Sequence, residues 1–181
     1  MNFAWLDLET TGADVDLHQI LEVGCVVTDQ TLEELTPADP FWTIVAPRWP
    51  IGQVDRVVLD MHLKSGLWAD VLESNVDVSG ADVDLAKFLD DYTVKGRIAL
   101  AGSGVGHFDR QFIDRWMPHT AKRLTYWPMD VGVVRRFGTM VAGRENPCDV
   151  TGEKPHRALD DVRLHLREAR AWRDLIAKAD A

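Results

Sequence analysis

Two carboxylates stand two residues apart in an alternating apolar segment near the start of the chain. Asp7 and Glu9 end the segment that begins at Phe3. Because side chains two apart on a β-strand point to the same face, the two carboxylates are predicted to share one face. They repel each other unless a cation lies between them. The pair therefore indicates a divalent-metal site, although D-x-E pairs also occur on solvated strand faces.

Two later segments carry groups of the same chemistry. Asp109 follows a Gly-rich turn in GSGVGHFDRQF, and HRALDD places His156 five residues before Asp161. Asp109 could instead cap a helix. Asp160 competes with Asp161 for the same role, and a lone His156 could be a solvated loop histidine. Taken singly, these residues leave both interpretations open.

The segments DLETTG, GSGVGHFDRQF and HRALDD, in this order, resemble the motifs of the DEDDh-class 3′–5′ exonucleases. The superfamily holds oligoribonucleases, proofreading subunits and RNase T, and the resemblance spans residues 3–172. It implies an α/β, RNase H-like exonuclease fold with a central mixed sheet of about five strands flanked by helices. The catalytic residues that it implies are Asp7, Glu9, Asp109, Asp161 and His156.

The four acidic residues offer oxygen ligands, which suit Mg²⁺ or Mn²⁺. The resemblance implies two such cations, which would stabilise the attacking and leaving oxygens of an in-line displacement at phosphorus. His156 would take the proton from the attacking water. The product would be a nucleoside 5′-monophosphate.

The segment MHLKSGL extends the likeness to oligoribonucleases, which carry an H-x-x-S-G-L segment. The likeness implies that His62 contacts a substrate phosphate, although a surface histidine on a short helix is an equal alternative. The substrate-binding residues that it implies are Thr10, Thr11, Gly12, His62, Ser65 and Tyr126.

Other positions depart from the oligoribonuclease pattern. Val57 and Ala13 replace a tryptophan and a leucine that wedge the bases of a very short substrate. Trp127 and Gly132 stand where basic and hydroxyl residues cap a 5′ phosphate, while Tyr126 remains. The nuclease motifs are thus intact, and the specialisation for dinucleotides is not predicted.

Further contacts to a strand could come from arginines and tryptophans outside the motifs, which can track phosphates and stack on bases. Ordinary surface charge and core packing explain each of them singly. The candidates are Arg110, Arg115, Arg135, Arg136, Trp42, Trp49 and Trp127.

The elements that must position these residues follow from periodicity and turn signals. Strands are predicted over 3–9, 19–28, 41–46 and 98–101. Helices are predicted over 81–92 with Ser79 as N-cap, over 108–117 and over 129–140. A last helix is marked by an apolar stripe from Leu159 to Ile176. Strands first and helices later predict helices packed on a mixed sheet.

Length and composition indicate the class of protein and the number of domains. The chain has 181 residues, of which 46% are hydrophobic and 27% charged, which predicts one globular domain over residues 1–181. The opening is acidic, and no segment has the roughly 20 apolar residues of a membrane helix, so a cytoplasmic protein without membrane contact is expected. Cys25 and Cys148 lack metal-finger spacing and are predicted to be free thiols.

The net charge of −9 argues against a protein that coats long nucleic acids. The expected partner is short or single-stranded RNA or DNA, bound at an end, and the resemblance also implies a homodimer. Two other functions stay open. One is a DNA-directed proofreading or repair nuclease acting at frayed or branched ends, and the other is a catalytically silent nucleic-acid-binding domain on the same fold.

Overall fold

A computed structural model of the chain describes residues 1–48, 50–148 and 156–179. The strands in these ranges are β1 (Phe3–Thr10), β2 (Ile20–Thr28), β3 (Phe41–Ile44), β4 (Ala99–Gly102) and β5 (Met129–Asp130). The helices are α1 (Arg56–Ser65), α2 (Leu67–Glu73), α3 (Val78–Asp90), α4 (Asp109–Trp116), α5 (Pro118–Ala121), α6 (Val131–Arg136) and α7 (Ala158–Ala179). A π-helical turn, Phe137–Val141, follows α6.

The strands form one mixed sheet in the order β3-β2-β1-β4-β5. Antiparallel pairing joins β1 to β2 and β2 to β3, whereas β1 pairs with β4 and β4 with β5 in parallel. Strand β1 therefore lies in the centre of the sheet. The prediction of a mixed five-stranded sheet flanked by helices is confirmed.

Side chains of β1 alternate between two cores, as the pleat of a strand requires. Ala4, Leu6 and Leu8 pack in the larger core with α3 and α4. Phe3 and Trp5 belong to the second core, which the first half of α7 covers. Asp7 and Glu9 continue the second row, so the sequence directs both carboxylates towards the α7 face of the sheet.

Helix α7 meets the sheet at a glycine. A Cβ on Gly24 of β2 would lie 2.7 Å from the backbone nitrogen of Leu159 and 2.8 Å from the carbonyl carbon of Ala158. Both atoms are backbone and cannot rotate away. The start of α7 thus lies directly on β2, which is possible because Gly24 has no side chain.

Two boundary predictions were wrong. Helix α3 is capped by Asp77, whose carboxylate accepts a 2.8 Å bond from the Gly80 amide, and Ser79 lies inside the helix. The predicted helix over 129–140 begins instead as strand β5, which pairs with the end of β4. Asp130 then caps α6 by accepting from the Val133 amide, and this cap separates the strand from the helix.

Both cysteines are buried free thiols, as predicted. No helix in the described ranges combines the length and the apolar character needed to cross a membrane. Trp49, and residues 149–155 between the second and third described ranges, lie outside the described part of the chain.

Candidate active site

The two carboxylates of β1 lie on the α7 face in different surroundings. Asp7 is half-buried, and Glu9 is buried. The β1–β2 register places Asp7 opposite Gly24 and Glu9 opposite Glu22. Asp7 therefore has the backbone of α7 close by, because that helix begins over Gly24.

Asp109 contacts β1 at the edge that faces β4, which is the edge away from β2. The parallel pairing of β1 with β4 ends at Trp5, so the Leu8 amide has no partner in that ladder. The Asp109 carboxylate at the start of α4 accepts a 2.9 Å hydrogen bond from this amide. The third carboxylate is thus fixed directly beside the residue that separates Asp7 from Glu9.

The environment of Asp109 opposes its charge. Burial raises the pKa of this carboxyl from 3.8 to about 7, and the nearby negative charge of Asp130 adds to the effect, while the hydrogen bond from Leu8 lowers the pKa. Asp130 accepts a 3.0 Å bond from the Gly104 amide and so ties the turn before α4 to β5. A positive charge in the site would restore the ionised form of Asp109.

The fourth carboxylate and the histidine come from α7 and the residues before it. One ligand atom from each of Glu9, His156 and Asp161 lies within 4.8 Å of the other two. Asp161 is buried, whereas Asp160 is partly exposed and lies 3.7 Å from Arg163. The geometry therefore places Asp161 in this cluster and leaves Asp160 in a surface ion pair.

The residues after His156 are anchored by Glu22, which the sequence reasoning missed. Glu22 accepts from the Arg157 guanidinium at 3.1 Å and from the Ala158 amide at 2.9 Å. The available signal was a single charged residue inside the apolar segment QILEVGCVV. A buried carboxylate in such a segment needs charged or hydrogen-bonding partners from another element.

The turn after β1 is held by its own side chains. The Thr10 hydroxyl donates to the Gly12 carbonyl at 2.7 Å, and the Thr11 hydroxyl accepts from the Gln19 amide at 3.0 Å. Thr11 is fully buried. These threonines therefore shape the turn from inside.

His62 lies beneath the same turn. Its side chain is fully buried, and Nε2 donates to the Thr10 carbonyl at 2.8 Å. Burial lowers the pKa of His62, which favours the neutral ring, and Nδ1 faces Glu9 Oε2 at 3.9 Å. His62 is therefore not a surface histidine, and its ring supports the carbonyl of Thr10. Ser65 donates to the His62 carbonyl at 3.3 Å and stabilises the end of α1.

The remaining candidates for substrate contact are divided by burial. Tyr126 is 91% exposed and is free to meet a ligand. Trp42 is half-exposed, and its indole donates to Glu22 at 2.6 Å. Trp127 is partly exposed. Trp49 lies outside the described residues.

Most of the candidate arginines already have protein partners. Arg110 donates to Asp114 and to the Thr125 carbonyl. Arg135 makes a two-bond ion pair with buried Glu168. Arg115 lies over the ring of Trp116 and near Asp16. Arg136 is exposed on α6.

A mixed sheet with acidic residues on its central strand and on two packed helices defines a class of α/β nucleases, and the comparisons agree. The family model described as "Exonuclease" (RNase_T) matches residues 4–169. The chain belongs to this exonuclease family and is a hydrolytic 3′–5′ exonuclease of the DEDDh class. Dependence on a divalent metal is general in the family.

Oligoribonucleases are among its relatives. The human mitochondrial oligoribonuclease is 33% identical over 174 residues, which cover 96% of this chain and 73% of the relative. The oligoribonuclease of Aliivibrio fischeri is 32% identical over 178 residues, covering 97% of this chain and 95% of the relative. The chain is thus similar to oligoribonucleases over nearly its whole length.

Solved structures share the fold. Exonuclease I from Methylocaldum szegediense superposes with a TM-score of 0.71 at 19% identity, over 96% of this chain and 40% of that chain. The zinc-bound complex of E. coli exonuclease I with single-stranded DNA gives a TM-score of 0.69 at 14% identity, again over 96% and 40%. This chain therefore spans about two fifths of the length of these neighbours.

The raised pKa of Asp109 yields a prediction about metal-free protein. Between pH 3.8 and about 7 the native state binds more protons than the unfolded state, so stability falls as the pH rises through this window. Asp109→Asn keeps an oxygen acceptor for the Leu8 amide and removes the charge. We expect it to stabilise the metal-free protein at pH 8 by up to roughly 4 kcal/mol, and to change little at pH 4.

Thermal unfolding in a chelator at the two pH values measures this difference, and added Mg²⁺ or Mn²⁺ should stabilise the original chain but not the variant. The same pH dependence of Tm in both chains would show that Asp109 is not the group that burial opposes.

Proposed function

We propose that the chain removes single nucleotides from the 3′ end of short single-stranded oligonucleotides, and of oligoribonucleotides above all, as nucleoside 5′-monophosphates. The observation that carries this proposal is the cluster of Glu9, His156 and Asp161 within 4.8 Å, together with Asp109 fixed at the amide of Leu8, the residue before Glu9. Relatives named oligoribonuclease support the substrate class. The complex of E. coli exonuclease I with single-stranded DNA supports a single-stranded substrate.

The donor set suits two Mg²⁺ or Mn²⁺ ions. Asp7, Glu9, Asp109 and Asp161 offer carboxylate oxygens, which hard divalent cations prefer. The raised pKa of Asp109 indicates a buried carboxyl that lacks compensating positive charge. When bound, such ions would stabilise negative charge on the oxygens around the reacting phosphorus. The four carboxylates are proposed as the residues that hold them.

His156 is proposed as the general base. Its ring lies within 4.8 Å of the Glu9 and Asp161 carboxylates, so a proton taken from an attacking water would be stabilised by two neighbouring negative charges. Thr10, Thr11 and Gly12 are proposed to form the turn that borders the terminal nucleotide, with His62 and Ser65 supporting it from below. Tyr126 is proposed to contact the substrate through its exposed ring.

The substrate proposal is tested with oligomers labelled at the 5′ end. We expect a ladder that shortens one nucleotide at a time, with RNA of a few residues cut faster than RNA of about 20 residues and faster than matched DNA. A circular single strand is the control and should survive. Faster cutting of frayed or branched DNA ends would instead support the proofreading or repair alternative, and cleavage of the circle would show an endonuclease.

The roles within the site are separated by variants. Asp161→Ala removes a ligand, so Mn²⁺ affinity and rate should fall together. His156→Ala leaves the four carboxylates and should lower the rate by about 10² to 10⁴ while Mn²⁺ still binds. Its residual activity should rise with pH as hydroxide replaces the base. Asp160→Ala is the matched control, because Asp160 is adjacent and lies outside the cluster.

Calorimetric titration of Mn²⁺ and pH–rate profiles measure these effects. Full activity of His156→Ala at pH 7 would exclude the histidine as base. Full nucleic-acid binding without hydrolysis by the original chain would favour the catalytically silent alternative.

We also propose a homodimer, formed through an apolar surface on α6, the π-helical turn and α7. Its members are large apolar side chains, all more than half exposed: Val133, Phe137, Met140, Val141 and Ile176. Exposed apolar patches of this kind mark association sites. Phe137→Ser should shift sedimentation towards monomer, whereas Leu72→Ser, which changes an exposed leucine on α2, should not. Monomer at all micromolar concentrations of the original chain would contradict the dimer.

We further propose that residues 1–181 act as one exonuclease domain in the cytoplasm. The match over residues 4–169 supports the single domain, and two buried free thiols fit a reducing compartment. Fractionation of cells measures the location.

A further inference from the structure

Glu22 is a fully buried carboxylate outside the catalytic set. It lies directly opposite Glu9 in the β1–β2 ladder, so both side chains stand on the α7 face of the sheet. A carboxylate without access to water is costly unless hydrogen bonds and an opposite charge compensate it. The partners of Glu22 therefore indicate what the residue is for.

Those partners satisfy both carboxylate oxygens. Oε1 accepts from Trp42 Nε1 at 2.6 Å and from Arg157 Nε at 3.1 Å. Oε2 accepts from the Ala158 amide at 2.9 Å. With both oxygens engaged by donors and no exposed surface, Glu22 is not placed to bind a cation beside Glu9.

Arg157 extends the contact to a second carboxylate. Its terminal nitrogen lies 2.8 Å from Asp70 on α2, and its guanidinium lies over the ring of Trp42 at 5.9 Å. The guanidinium is therefore held from β2, β3 and α2 at once. A planar group with several fixed partners has little freedom to turn.

Two of the donors to Glu22 belong to the residues that directly follow His156. The backbone of His156 has a φ of +50°, in the left-handed region that residues other than glycine rarely adopt. Such a conformation persists only where the surroundings hold it. The bonds from Arg157 and Ala158 to Glu22 supply that restraint on the C-terminal side of the histidine.

We propose that Glu22, acting through Arg157 and the start of α7, is a positioning residue that fixes His156 against Glu9 and Asp161. The inference rests on the proposed role of His156 as base. Glu22 itself touches neither substrate nor cation. Loss of its bonds should let the backbone at His156 leave the left-handed conformation and move the imidazole away from the reacting water.

Glu22→Gln tests this with nearly unchanged volume. The amide nitrogen of Gln must face donors, either Trp42 Nε1 and Arg157 Nε or the Ala158 amide, so at least one bond is replaced by a repulsive contact. We expect kcat to fall by about 10- to 100-fold, with KM and the Mn²⁺ dissociation constant changed by less than about threefold.

A double-mutant cycle with His156→Ala separates positioning from general damage. If Glu22 acts through the histidine, Glu22→Gln should lower the rate of the His156→Ala chain by less than about twofold. Arg157→Lys keeps the positive charge, but a single ammonium group cannot bond Glu22 and Asp70 together as the guanidinium does. This variant should also lose kcat, and should lose little further rate when combined with His156→Ala. This second variant tests the link even if Glu22→Gln fails to fold.

Asp82→Asn is the matched control. Asp82 is also a buried carboxylate that holds a helix start, because it accepts from the His119 and Thr120 amides on the other face of the sheet. The Asp82→Asn substitution should lower Tm and leave kcat unchanged. Three results would each overturn the positioning role. The first is an equal loss of kcat in Asp82→Asn. The second is a double variant whose rate loss equals the product of the two single losses, and the third is a parallel loss of Mn²⁺ affinity in Glu22→Gln. Full activity of His156→Ala alone would instead overturn the base on which it rests.

Discussion

The contact between the first turn of α7 and strand β2 is the interaction on which the site depends. Strand β1 can present Asp7 and Glu9 by itself, but it cannot supply the groups that face them. Those come from α7, and their place is set by how closely its first turn lies on Gly24. A side chain at this position would push the helix outwards and separate Asp161 from Glu9. The positions of the catalytic side chains on α7 therefore depend on the close packing of its backbone against the backbone of β2.

That contact brings like charges together, which opposes folding. Glu9 and Asp161 are both buried, and the pKa of Asp109 is raised to about 7, mainly by burial and further by the charge of Asp130. The protein offsets part of this cost with fixed donors, such as the Leu8 amide for Asp109. Divalent cations would offset the rest, so metal binding and stability should be linked. The charge of Glu22 is compensated by Arg157.

The features that could be predicted from the sequence are those marked by a short motif or by a regular spacing of apolar residues. The alternation of β1 predicted the shared face of Asp7 and Glu9, and the apolar stripe predicted α7. Strand β5 was not predicted, because its two residues, Met129 and Asp130, are too few to show an alternating pattern. The cap at Asp77 was missed because Ser79 offers a similar signal two residues later.

Long-range partners could not be read from the sequence for a different reason. His62 looks like a surface histidine in MHLKSGL, and only the fold places its ring under the carbonyl of Thr10, 52 residues away in the chain. Glu22 and Arg157 are 135 residues apart, and neither belongs to a pattern that points to the other. Residue type and spacing identify groups able to do chemistry. Which groups hold them in place depends on tertiary contacts that the spacing does not encode.

The charge distribution argues for short substrates independently of the relatives. Affinity for a long strand grows with the number of phosphates that free Lys and Arg side chains neutralise. Here the net charge is −9, and Arg110, Arg135 and Arg157 are engaged with carboxylates of the chain itself. Cations held at the acidic cluster would then add an attraction that acts on the terminal phosphates alone. A long strand would gain little from its remaining phosphates and would still be repelled by the acidic surface, so binding per molecule should not increase with length.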